Sequence, residues 1–153
     1  GIIMGQMLGA GNTAETIRDS NRKLITMNVL VGVVFGALLA TVSGVFPKIY
    51  NTTDSVRHIA TWLICICAVT MPVHSYLNAT YFTLRSGGQT MVTFLFDSCF
   101  VWVCCVPLAF CLSRFTDLSI IPLFAICIST DLLKCALGAF MLKQGKWIQN
   151  LTT

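Results

Sequence analysis

The chain has 153 residues, 56% of them hydrophobic and only 10% charged, with a formal charge of +4 and a mean hydropathy of +0.79. A water-soluble domain carries about 25% charged residues and needs a polar exterior, which this composition does not supply, so a membrane protein is expected. Ten Lys and Arg against six Asp and Glu, dispersed and without a basic stripe interleaved with aromatics, exclude a nucleic-acid partner.

The opening GIIMGQMLGAGNTAETIRD is an apolar run that stops at Gly9, Ala10 and Gly11 and then turns polar. It reads as the second half of a helix, the end of a span whose start belongs to a preceding segment. Residues 12–23 carry Glu15, Arg18, Asp19 and Arg22, with Ala14, Ile17 and Leu24 available for an apolar face. Glu15–Arg18 and Asp19–Arg22 are spaced to pair at i, i+3. Two readings stay open for this stretch, a short amphipathic helix capped by Asn12 or Thr13 and a solvated loop.

A hydrocarbon core of about 30 Å takes roughly 20 apolar residues per helix. Residues 24–46, 59–82, 91–112 and 120–142 meet that length. Lipid offers no partner to backbone polar groups, so these runs must be helices. Gly32 and Gly36 in the first make a G-x-x-x-G that permits close helix approach. Pro72 in the second, the most polar of the four, is placed to kink it. The connections at 47–58, 83–90 and 113–119 are short, which implies antiparallel neighbours.

Lys and Arg set the orientation of such a protein. Arg18, Arg22, Lys23, Arg85, Lys143 and Lys146 fall on one side, and Lys48, Arg57 and Arg114 on the other. Six against three makes the first side, with the C-terminus, cytoplasmic. Trp147 beside Lys143 and Lys146 reads as an interfacial anchor. The eight cysteines all sit in apolar runs, where Cys behaves as a small hydrophobe, and no pair has zinc-ligand spacing. Asn51-Thr52-Thr53 is a glycosylation sequon on the outer side, whereas Asn78 and Thr80 lie within a span.

Ionisable groups inside spans are costly and mark function or helix ties. There are four, His74, Asp97, Asp131 and Lys134. Asp97 lies about 9 Å and Lys134 about 12 Å from the same membrane face, counted at 1.5 Å per residue. Asp131 is one turn from Lys134 on the same helix face. In one reading a carboxylate facing a water-filled cavity exchanges a proton or sodium ion, and Asp97 is the residue expected to do so. In the other, Asp97 or Asp131 pairs with Lys134 and ties helices together. His74, beside Ser75 and Tyr76, reads first as a hydrogen-bonded packing residue and second as a titrating one. No G-x-S-x-G, P-loop or HExxH motif occurs, so no enzyme is expected.

Four stretches in register resemble one known family. GQMLGAGNTAETIR is similar to the helix end and cytoplasmic entry of the multidrug and toxic compound extrusion (MATE) transporters. YFTLRSGGQT, containing Arg85, Gly87 and Gly88, resembles their late R-[SA]-G-G-[DQ]-T turn. FDSCFVWVCCVPLAF resembles their D…W…P-L-A helix, and KWIQNL a frequent ending. The resemblance implies an all-α polytopic fold of twelve spans in two six-helix lobes, with both termini cytoplasmic. It implies exchange of drugs or organic cations for Na+ or H+, with no cofactor beyond the coupling ion. On that map residues 1–11 end the eighth span, and four complete helices follow as the ninth to twelfth. The whole of 1–153 is then part of the C-terminal lobe, in the plasma or inner membrane, with the N-terminal lobe, the bilayer and a small cationic substrate as partners. The family's ion-site acids lie partly in spans outside this chain, while Asp97 falls where one branch keeps a carboxylate. A lipid-linked-oligosaccharide flippase of the same superfamily and a small four-helix interaction protein are the alternatives.

Overall fold

The computed structural model describes residues 1–49 and 51–148. Every regular element among them is helical: α1 (Ile2–Gly9), α2 (Ala14–Ser43), the single-turn α3 (Phe46–Ile49), α4 (Asp54–Ser86), α5 (Thr90–Phe94), α6 (Val106–Phe115) and α7 (Ile120–Gln144). Between α5 and α6 the helix widens into π turns at Leu95–Cys99 and Val101–Cys105, so that Thr90–Phe115 forms one rod. Four helices are long and apolar enough to cross a bilayer: α2 continued by α3, α4, the Thr90–Phe115 rod, and α7. Outward side chains are apolar, with Val34, Phe35 and Leu38 each more than half exposed, an arrangement that hydrocarbon tolerates and water does not.

Residues 12–23 form neither an isolated helix nor a loop. Thr13 is extended and caps α2, which then runs unbroken from the polar stretch into the apolar one. The pairing differs too, since Asp19 bonds Lys23 at 2.6 Å, i, i+4, rather than Arg22. That geometry places the acid N-terminal to the base, the favourable order along a helix. The face turned inward carries Ile17 and Asn21, both buried, and the Thr83 hydroxyl of α4 donates to Asn21 Oδ1 at 2.6 Å.

The helices pair around α4, which packs along α2 on one side and α7 on the other. The buried apolar core lies at one end of the bundle: Met4 and Leu8 of α1, Ile17 of α2, Leu84 of α4, and Trp147 beyond α7. Trp147 is therefore not an interfacial anchor. It is 1% exposed, its indole N–H donates to the Leu142 carbonyl at 3.1 Å, and it plugs the space where four helix ends meet. Arg18, Arg22, Lys23, Arg85, Lys143 and Lys146 all belong to this end, and Lys48, Arg57 and Arg114 to the opposite one. Of the KWIQNL ending, Gln149, Asn150 and Leu151 lie outside the described residues.

Gly32 and Gly36 set how closely α2 approaches α4. A Cβ at Gly36 would sit 2.6 Å from the Ala68 carbonyl oxygen, and one at Gly32 would strike the Ser75 side chain. The Ala68 carbonyl is four residues before Pro72, which has no N–H to give it. Pro72 does not interrupt α4, and its freed carbonyl is the one the Gly36 backbone covers. Asn28 then fixes the register by donating to the Ser75 carbonyl at 2.7 Å. A Gly36→Ala variant is expected to lose about 1–3 kcal/mol through overpacking against backbone that cannot yield. Gly5→Ala, where a Cβ meets nothing within 4 Å, is the control: its thermal midpoint in detergent should match or exceed that of the parent.

Candidate functional site

Three of the four intramembrane ionisable residues come together where α4 faces α7. Lys134 and Asp131 are one turn apart on α7, and Lys134 Nζ lies 3.2 Å from Asp131 Oδ1. The other carboxylate oxygen is 3.5 Å from Nδ1 of His74 on α4. The Lys134 side chain is 8% exposed, Asp131 15% and His74 42%, so the cluster opens outward at the histidine. The ammonium also stands 5.4 Å from the Phe100 ring centroid, a cation–π contact that brings the Thr90–Phe115 rod to the same place. One carboxylate thus holds a lysine of its own helix and a histidine of the next.

Asp97 is elsewhere. Lys134 bonds Asp131, not Asp97, so the Asp97–Lys134 tie is not formed. Asp97 lies in the first π turn, is exposed, and makes no ion pair among the described residues. It lines a cavity of about 80 Å³ with Arg85, Asn78, Tyr81 and Thr93. That volume accommodates a pair of waters at about 30 Å³ each. The Tyr81 hydroxyl is enclosed and has no hydrogen-bond partner among the described residues.

The two places share one surface of α4. His74, Asn78, Tyr81 and Arg85 follow at intervals of four, three and four residues, which is a single helix face. The stripe spans about 16 Å at 1.5 Å per residue. Tyr81 sits between its ends, within electrostatic range of both Asp97 and Asp131. The partner of His74 is 57 residues away in the chain, so local spacing reveals neither that pair nor the place of Tyr81 between the two acids. The i, i+4, i+7, i+11 spacing of polar residues in an otherwise apolar span is the signal that finds the stripe.

The stripe ends in a turn built by two glycines with different duties. Gly88 has φ 81°, and the Gln89 and Gly88 amides donate to the Leu84 and Arg85 carbonyls at 3.0 Å each. These are the two bonds of a Schellman cap, which needs the left-handed residue that glycine supplies. Gly87 is buried, and a Cβ there would run into the Trp147 backbone. The turn therefore docks the C-terminal end of α7 onto α4 and fixes where Arg85 leaves the helix.

The MatE family model matches residues 1–111 of this architecture. The chain belongs to the MATE family. Searches of curated proteins and of solved structures return no match. As a MATE protein it is a membrane transporter, and the multi-pass helical architecture is that of an integral membrane protein. The matched region contains His74, Arg85, Gly87, Gly88 and Asp97, whereas Asp131 and Lys134 on α7 lie beyond it.

Proposed function

We propose that this MATE chain forms the ninth to twelfth spans of the C-terminal lobe of an antiporter. It exports drugs or other organic cations in exchange for Na+ or H+ across the cell membrane. The basic end, with Arg18, Arg85 and Lys143, faces the cytoplasm under the six-to-three excess of Lys and Arg. Coupling passes along the polar face of α4, with Asp97 as the exchanging carboxylate at one end and His74–Asp131–Lys134 as its charge-balanced counterpart at the other.

The observation that carries this reading is the continuity of that face. It joins an unpaired carboxylate beside a small polar cavity to a buried ion-paired cluster. Substrate paths in two-lobe secondary transporters run between the lobes, with gating by one bundle against the other. A stripe carried on the central helix of a bundle is suited to sense that motion. Family membership weighs against the small four-helix interaction module.

Asp97→Asn tests it. The variant keeps size and hydrogen bonding but cannot hold a charge, so in cells expressing the full-length gene it should reach the membrane and lose ion-driven efflux. Export of a fluorescent organic cation is measured with the Na+ gradient or the proton gradient collapsed in turn. Efflux that keeps the parent's dependence on either gradient would remove Asp97 from the mechanism.

A further inference from the structure

A cavity of about 470 Å³ opens between the ends of α2, α4 and α7 at the basic end of the bundle. Arg18 and Arg22 of α2 and Lys143 of α7 line it, and no carboxylate does. None of the three makes an ion pair among the described residues: Asp19 bonds Lys23, and the Glu15–Arg18 pair that the spacing allows is not formed. The Arg18 guanidinium lies against Gly145, at φ 70°, where any Cβ would collide with it. Toward the membrane the lining turns apolar, with Ile25 and Leu142 one turn or less from Arg22 and Lys143. The cavity thus has basic walls at the end of the bundle and apolar ones deeper in. α2 and α7 each pack on α4 but touch one another little, which leaves the cavity between them.

We propose that this cavity binds the phosphate-bearing headgroup of an anionic membrane lipid, bridging α2 to α7. Two guanidiniums offer paired N–H donors that match phosphate oxygens, and the ammonium adds a point charge from the opposite wall. Ile25 and Leu142 face the first carbons of the acyl chains. Basic pockets between spans at the cytoplasmic end take lipid headgroups by this chemistry. A free inorganic phosphate would use the same cations but gain nothing from the apolar lining.

The test is lipid binding to the purified full-length protein by native mass spectrometry, with phosphatidylglycerol, phosphatidylcholine and inorganic phosphate as probes. Phosphatidylglycerol should bind at concentrations where phosphatidylcholine does not. The double variant Arg18→Gln/Lys143→Gln should weaken phosphatidylglycerol about 30-fold. Lys48→Gln/Arg114→Gln, with the same loss of charge at the other end, should stay within about twofold of the parent on the same scale. If the first double variant does not fold, Arg22→Gln alone should show a loss of about fivefold. Equal weakening by the two double variants would reduce the effect to general attraction and overturn the site. Displacement of the lipid by an equal concentration of inorganic phosphate would overturn the lipid as occupant, as would equal binding of phosphatidylcholine.

Discussion

Asp131→Asn should cost about 3–5 kcal/mol of stability, because it removes the charge and leaves Lys134 buried without its partner. Lys134 is 8% exposed and cannot turn to water without moving α7, since Gly138 one turn further on lies against Thr80 of α4. The Phe100 ring offers the ammonium only its face, which does not replace a carboxylate. Asn is nearly the same size as Asp, so the loss measures charge and not a cavity. Removing both ends of the pair in Asp131→Asn/Lys134→Met should restore most of the stability, as apolar replacement of a whole buried pair is often neutral. Unfolding titrations of the parent, the single and the double variant in one detergent make the comparison. A single variant with the parent's midpoint would show that the pair is solvated in the membrane and bears no strain. Asp97→Asn belongs in the same series: its carboxylate is exposed and unpaired, so it should shift the midpoint little while abolishing coupling.

Trp147→Ala should be as damaging, at about 3–5 kcal/mol, for a different reason. The indole fills the junction of α1, α2, α4 and α7, and its removal leaves a cavity bounded by Met4, Leu8, Ile17 and Leu84. Those side chains project from three separate helices, so collapse into the hole would require helices to slide. The Leu142 carbonyl would also lose its indole donor. Trp147→Phe keeps most of the volume and should recover more than half of the loss. Limited proteolysis within residues 143–148 gives a second readout, with cleavage much faster in the Ala variant than in the parent. Equal rates would mean that the junction is held by backbone contacts, such as Gly87 against Trp147, and not by the ring.

The four spans are legible in the sequence because a window of about 20 apolar residues has one stable solution in hydrocarbon. What composition cannot give is which faces meet. The stretch 12–23 reads as a short separate helix or a loop because its charges are dense, yet Ile17 and Asn21 find partners on α1 and α4, and that burial carries α2 through it. Trp147 looks like an anchor because its neighbours in the chain are lysines, whereas its neighbours in space come from residues 4 to 84. The Asp131–Lys134 pair is visible as an i, i+3 spacing, but His74 joins it only through the α4–α7 contact. Gly32 and Gly36 announce close packing, and the carbonyl that Gly36 covers is explained by Pro72 on another helix. Local spacing tells what a residue is able to do; the partner is decided by tertiary register.

The widened turns of the third span have a further consequence. A π turn holds one more residue than the α-helix around it. That extra residue turns the side chains beyond it by about 100° relative to an unbroken α-helix. Asp97 lies inside the first of the two. Without the extra residue the carboxylate would leave the cavity it shares with Arg85 and Tyr81, so the third span reaches that site through its widened turns and not through α-helical register.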